Sequence, residues 1–208
     1  NRIKAYDYDS NERILIVTKA YRSQTINMVV LTLHIGGSSV LMKSLKPNIF
    51  LETLKKHGIT SMTAPPAFLF SLAEYMKGAD QRINYGHLRF IRASGAPMPE
   101  KTRVDLEQIF DTKVVFSYGM TETKNIANTL KEPVGHKIGS VGVLTGLEIR
   151  SINGELQVRG NSVFKGYENK DIDNNEYFDD GWFRTGDLGY IDSDGYVFIT
   201  GRIKEMIN

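Results

Sequence analysis

The chain has 208 residues, 41% hydrophobic and 24% charged, enough for one domain or two intimate subdomains with a buried core. A formal net charge of +2 carried by scattered lysines argues against a nucleic-acid-binding face. The lack of cysteine excludes a disulfide framework, a thiolate nucleophile and cysteine-ligated zinc.

The first residue is Asn1, and a strand-like run, Arg13 to Thr18, arrives with no recognisable element before it. Ser23 to Ile35 has helix length and closes on Gly36-Gly37. Its apolar part, Ile26 to Ile35, contains Asn27, Thr32 and His34 and is far too short to span a bilayer. With no targeting segment visible at the start, a cytosolic setting is expected. Ser39 to Lys43 reads as a strand, and Pro47 opens a helix reaching His57-Gly58. Ile59 to Ala64 is a strand, and Pro65-Pro66 begins a helix running to Lys77-Gly78. Leu88 to Ala93 is a strand, Pro99 to Phe110 a helix and Lys113 to Ser117 a strand. Strands alternating with helices predict an α/β architecture, a parallel sheet flanked by helices.

The pattern changes near Gly135, after which short runs alternate with Gly, Asn and Asp turns. Leu147 to Arg150, Glu155 to Arg159, Leu188 to Ile191 and Tyr196 to Thr200 read as strands. Asn153-Gly154 and Asp194-Gly195 mark hairpins. The expected organisation is an α/β part over residues 1–135, a small antiparallel or barrel-like β part over 136–200, and a terminal segment, 201–208. Trp182-Phe183 is expected in the core of the second part.

Chemistry concentrates in a few segments. In open α/β sheets, ligands sit beyond the carboxyl ends of the strands. Ser94-Gly95-Ala96-Pro97 and Tyr118 to Thr123 both follow predicted strands there. Small residues let backbone approach a flat base, Tyr118 offers an aromatic face, and Thr121 and Glu122 supply a hydroxyl and a hard oxygen ligand. Downstream, Trp182 to Leu188 (WFRTGDL) and Gly201 to Glu205 (GRIKE) place Asp187 and Arg202 at the two ends of a β-rich segment. Singly, each piece is accounted for by a turn, a packed tyrosine, a helix cap or solvated charges.

Their order and spacing are more specific. SGAPMP (94–99), YGMTET (118–123), GELQVRGNSVFKGYEN (154–169), GWFRTGDLGYIDSDGYVFITGR (181–202) and the terminal KEMI together resemble the adenylate-forming superfamily of acyl-CoA synthetases, adenylation domains and luciferases. The resemblance covers residues 11–208, the central to C-terminal part of that family's large domain. It implies activation of a carboxylic acid by ATP to an acyl-adenylate, with Mg2+, and transfer to coenzyme A. It implies that Gly95, Ala96 and Pro97 line the adenine pocket, Tyr118 stacks on the purine, and Gly119 and Met120 belong to the same nucleotide-contacting segment. Thr121 would contact phosphate and Glu122 hold the magnesium, both with catalytic roles. Asp187 would hold the ribose hydroxyls, Ile199 contribute an apolar contact, Arg202 reach ribose or phosphate, and Lys204 serve as the hinge to a further domain. Self-association is compatible with this reading.

In-line displacement between two anions requires positioning and charge neutralisation rather than a protein nucleophile. The family's Gly/Ser/Thr-rich phosphate loop and its C-terminal domain with the adenylation lysine are not found in these residues. The expectation is therefore a piece of a longer protein with negligible adenylation activity alone. An adenylation domain loading a carrier protein, and a non-catalytic AMP-binding module, are the alternatives.

Ala20-Tyr21-Arg22-Ser23 aligns with an acyl-pocket segment; amino-acid-activating relatives carry an aspartate where this chain has Arg22. A cation there disfavours an ammonium-bearing substrate; it either welcomes a second carboxylate or polar tail on the acid or, an equal alternative, points to the surface. Residues near Arg22 to Asn27, Ala93 to Gly95 and Met120 to Asn125, with Arg22, Ser23, Ala93 and Ser94 foremost, are expected to line part of the acyl pocket. Gly36 to Ser39 follows a helix and precedes a strand, the reverse of a phosphate loop. Asp171 to Glu176 and Asp192 to Gly195 lack calcium-loop spacing, and His34, His57, His87 and His136 lack ligand spacing.

Overall fold

The computed structural model describes residues 2–42, 44–77, 86–129 and 136–205. It divides into two compact units, Arg2–Phe116 and the chain from Ser117 onward. The expected strand end at Lys43, helix end at Gly78, boundary at Gly135 and the last residues of KEMI lie outside the described residues.

The first unit is the predicted α/β part. Helix α1 (Arg2–Tyr6) precedes strand β1 (Arg13–Ile16), followed by α2 (Ser23–His34), β2 (Ser38–Leu41), α3 (Pro47–His57), β3 (Ser61–Ala64), α4 (Pro66–Lys77), β4 (Phe90–Ser94) and α5 (Glu100–Phe110). β2, β1, β3 and β4 lie side by side in that order, all parallel. Alternate side chains serve opposite faces. Leu15, Met62, Ile91 and Ala93 join Phe50, Leu54, Leu69, Leu72 and Leu106 of α3, α4 and α5 in one core. Ile14, Ile16 and Phe90 join Tyr6, Tyr8 and Met28 on the other. Burial on both faces matches the nearly continuous apolar run of β1, whereas β3 and β4 bring the buried polar residues Ser61, Thr63 and Arg92 into the sheet.

α1 corrects the expectation that nothing precedes β1. It is only five residues long, and tertiary packing holds it through Ile3, Ala5 and Tyr6. Tyr6 stacks on Phe90 at 5.0 Å between centroids, with Tyr8 tilted against the same ring. Gly36 ends α2 in the left-handed region, and Gly37 N–H donates to the Thr32 carbonyl at 2.9 Å, a helix-ending turn as expected.

β5 (Lys113–Met120) carries the chain from the first unit into the second. There follow β6 (Lys124–Asn128), β7 (Ser140–Leu144), β8 (Glu148–Ile152), β9 (Glu155–Arg159), a 3-10 turn at Asn174–Glu176, β10 (Phe178–Asp179), β11 (Trp182–Ile191), β12 (Tyr196–Arg202) and a second 3-10 turn at Ile203–Glu205. Pairing runs β5-β6-β7-β12-β11-β9-β8, antiparallel throughout, with β10 hydrogen-bonded to β11. This is the antiparallel form of the expectation; no pairing among the described residues returns β8 to β5. Asn153 and Gly154 both have positive φ and join β8 to β9 as predicted.

Two expected boundaries need correction. β5 extends through Tyr118-Gly119-Met120, so these residues lie inside a strand and Thr121–Thr123 form the tip of the β5–β6 hairpin. Gly119 permits this: a Cβ there would stand 2.0 Å from the Lys124 carbonyl oxygen. Likewise β11 begins at Trp182, six residues before the expected Leu188. Thr185-Gly186-Asp187 forms a bulge within it, because pairing with β9 shifts between Arg184 and Leu188 and Gly186 takes φ +71°. Strand parity also separates Trp182 from Phe183. Phe183 is buried in the core of this unit, whereas Trp182 is half-buried, with the Arg150 and Arg159 guanidiniums each 4.6 Å from its ring centroid.

Candidate nucleotide-binding site

The second unit brings Tyr118, Asp187 and Arg202 together. The Tyr118 hydroxyl donates to Asp187 Oδ2 at 2.7 Å, and Arg202 Nε donates to Asp187 Oδ1 at 2.7 Å. Asp187 is 4% exposed and Tyr118 8%, whereas the Arg202 side chain is about half exposed, 54%. A buried carboxylate therefore faces outward through a partly solvated arginine. Burial and the neighbouring Asp187 charge push the Tyr118 phenol well above its ordinary range, so it remains a donor. Arg202 is pushed upward by its hydrogen bond to Asp187.

The bulge fixes the carboxylate. Thr185 Oγ1 donates to the Leu156 carbonyl at 2.7 Å and accepts from the Asp187 N–H at 3.1 Å. Glu155 on β9 accepts from the Gly186 N–H at 3.2 Å and from Arg184 Nε at 3.0 Å. A second bulge aligns the arginine. Asp187 pairs with Arg202 and Leu188 with Gly201, but Gly189 pairs with Ile199, leaving Thr200 as the extra residue. Ile199 and Arg202 consequently share a face, and Ile199 packs against the cluster that holds Tyr118.

Thr121 is exposed and Glu122 half-buried at the hairpin tip. The Glu122 carbonyl accepts from the Phe164 N–H at 2.7 Å, and Glu122 Oε1 accepts from the Tyr167 hydroxyl at 2.9 Å. The Ser162 hydroxyl donates to the Thr123 carbonyl at 2.9 Å. Sequence reasoning missed Tyr167, although it stands in the GELQVRGNSVFKGYEN segment. Burial, followed by its bond to Glu122, pushes its phenol up to about 12. Among the described residues no group of three His, Cys, Asp or Glu is placed to hold a metal. One carboxylate suits a magnesium held mostly by substrate phosphates and water, and Glu122 fits that mode.

Lys204 is exposed in the terminal 3-10 turn. Gly95, Ala96 and Pro97 belong to the first unit, exposed after β4 with Gly95 at φ +93°. Ser94 is half-buried and accepts from Gln24 Nε2 at 2.5 Å. Ala93 is buried in the core against α3, α4 and α5, the opposite face from Ser94. Arg22 is exposed at the start of α2, and Ser23 is half-buried. Thr63 and Arg92, which the sequence reading passed over, form a polar cluster with Ser94 and Gln24, the latter inside the expected acyl-pocket segment. The run Leu88 to Ala93 holds two arginines, Arg89 and Arg92, and the string alone does not tell which of them turns inward.

Residues 2–168 match the family model described as AMP-binding enzyme. The chain belongs to that family. It is 37% identical over 172 residues to an oxalate–CoA ligase of Arabidopsis thaliana, covering 76% of this chain and 33% of that protein. It is 33% identical over 214 residues to a sulfoacetate–CoA ligase of Cupriavidus necator, covering 94% of this chain and 40% of that one. Among solved structures, O-succinylbenzoate coenzyme A synthetase from Bacillus subtilis, in complex with ATP and magnesium, matches with a TM-score of 0.86 and 27% identity, over 99% of this chain and 45% of that one. The chain thus spans 33% to 45% of the length of these relatives. No helix among its described residues is long and apolar enough to cross a membrane.

Proposed function

We propose that this chain forms the nucleotide-binding part of an ATP-dependent acid–thiol ligase, one that activates a carboxylic acid as its adenylate and passes the acyl group to coenzyme A. The observation that carries this reading is the buried Asp187 carboxylate held between Tyr118 and Arg202, in a chain of the AMP-binding family. A carboxylate accepts along about four lone-pair directions; Tyr118 and Arg202 take one each, leaving acceptor capacity for the two ribose hydroxyls. Tyr118, oriented by its bond to Asp187, offers its ring to the purine. Arg202, half in solvent, is suited to follow charge on the ribose or phosphate side. Thr121 and Glu122 serve the phosphates from the hairpin tip, and Tyr167 holds the Glu122 carboxylate. A magnesium ion bound there would offset phosphate charge. Gly95, Ala96 and Pro97 contribute the adenine-facing backbone, and Lys204 is the hinge.

The chemistry needs the acid and the α-phosphate aligned in line and their charges offset; no side chain has to become covalently attached. The relatives' names, oxalate–CoA ligase and sulfoacetate–CoA ligase, support coenzyme A as the acceptor and a small acid as the substrate. The test is acid-dependent pyrophosphate and AMP formation by the full-length protein across a carboxylic-acid panel. Turnover with coenzyme A supports the reading; a preference for free amino acids, or AMP binding without acid-dependent pyrophosphate release, overturns it.

A further inference from the structure

Two buried charges in the first unit are treated differently. Glu12 is 2% exposed and compensated: Arg89 forms an ion pair with it, the Thr60 hydroxyl donates to it at 2.5 Å and the Ser61 hydroxyl at 3.2 Å. Arg92 on β4 is 1% exposed, and no carboxylate among the described residues pairs with it. Its Nε and Nη2 both reach Thr63 Oγ1, at 3.3 and 3.1 Å, and Nη2 also lies 3.2 Å from Met28 Sδ, a weak acceptor. Nη1 is buried without a hydrogen-bond partner.

The surroundings have more donors than acceptors. Thr63 Oγ1 receives Gln24 Nε2 at 2.7 Å as well as both Arg92 nitrogens, three N–H groups on one hydroxyl oxygen. The same Gln24 nitrogen reaches Ser94 Oγ at 2.5 Å. An arginine cannot escape by losing its proton, and a guanidinium sealed from water without an anion is costly. An acceptor carrying negative charge would complement this cluster. The cluster sits at the carboxyl ends of parallel β3 and β4, where ligands of such sheets bind, and Ser94 leads directly into Gly95–Pro97.

We propose that Arg92, with Thr63, Gln24 and Ser94, is a specificity site for the distal anionic group of the acid substrate, so that the protein selects short acids carrying a second carboxylate or a sulfonate. This rests on the acid–thiol ligase reading and narrows it. Arg92, rather than the exposed Arg22, is the cation that reads the far end of the acid.

The test uses the full-length protein and acid pairs of equal carbon number, malonate against propionate and succinate against butyrate. Acid-dependent pyrophosphate release gives kcat/KM for each, and the melting temperature with each acid alone gives a readout independent of turnover. The wild type is expected to favour the diacid by about 100-fold. Arg92→Met is expected to remove about 100-fold from kcat/KM for the diacid while leaving the monoacid within about 3-fold. Arg92→Lys, which keeps the charge, should retain part of the preference, and it carries the test if the Met variant does not fold. Equal use of diacid and monoacid by the wild type, or a diacid-to-monoacid ratio unchanged in Arg92→Lys, overturns the proposal. If diacids alone raise the wild-type melting temperature in an Arg92-dependent way while no acid drives pyrophosphate release, the anion site stands and the ligase reading falls.

Discussion

Tyr118 and Asp187 come from strands far apart in sequence, yet the tyrosine hydroxyl donates to the aspartate at 2.7 Å and both side chains are buried. That contact ties the β5–β6 hairpin to the β11 bulge, and its loss should register as stability before any nucleotide is added. Tyr118→Phe keeps the ring and leaves a buried carboxylate oxygen short of a donor, an expected cost of about 1–3 kcal/mol in urea unfolding. A double-mutant cycle with Asp187→Asn should show coupling of at least about 0.5 kcal/mol; strict additivity would remove the contact from the argument.

Arg202 offers the opposite balance. Its side chain is about half exposed, so solvent screens its attraction to Asp187, and Arg202→Ala should change stability by less than about 1 kcal/mol. If it reads the nucleotide as proposed, the same substitution should weaken AMP binding by about 10-fold in calorimetry. An unchanged dissociation constant would strip Arg202 of that role.

Gly119 and Gly201 both neighbour proposed site residues but differ in space. A Cβ at Gly119 collides with the Lys124 carbonyl, whereas one at Gly201 meets nothing within 4 Å. Gly119→Ala should therefore lose about 3 kcal/mol by chemical denaturation. Gly201→Ala should stay within about 0.5 kcal/mol of the parent. Equal effects would contradict the hairpin geometry.

Tyr167 provides a pH signature. Its folded phenol lies at about 12, above the ordinary value of 10.0, so the folded state holds that proton more tightly than the unfolded chain. The associated stability is complete below about pH 10 and disappears as pH rises toward about 12. Ultraviolet titration of the ten tyrosines should lose a component near 12 in Tyr167→Phe. Loss only of components near 10 would show that the Glu122 contact does not form in solution.

Much of the α/β unit was legible because its signals are local or periodic: Pro47 at a helix start, Gly58 in the left-handed region at its end, apolar strands buried on both faces. The Asn153-Gly154 hairpin and β9 were legible for the same reason. What escaped depends on long-range packing. α1 is held by rings stacked on Phe90, and the Thr185–Asp187 bulge by Glu155 and Leu156 on a neighbouring strand. At the site, motif order picked out Tyr118, Asp187 and Arg202, which the fold brings together. Arg92 and Tyr167 were overlooked because nothing in a linear string distinguishes a charge or hydroxyl turned inward from one turned to water.

Thr200 is exposed and stands opposite no residue of β11, yet its presence sets the facing of everything after it. In an unbroken strand, positions three apart point to opposite sides; here the inserted residue lets Ile199 and Arg202 point the same way. Spacing, not side-chain identity, is therefore what this hairpin must conserve. Exchanging Thr200 for another small polar residue leaves the arginine aimed at Asp187, whereas excising it turns the guanidinium to the wrong side of the sheet without touching a single proposed ligand-binding residue.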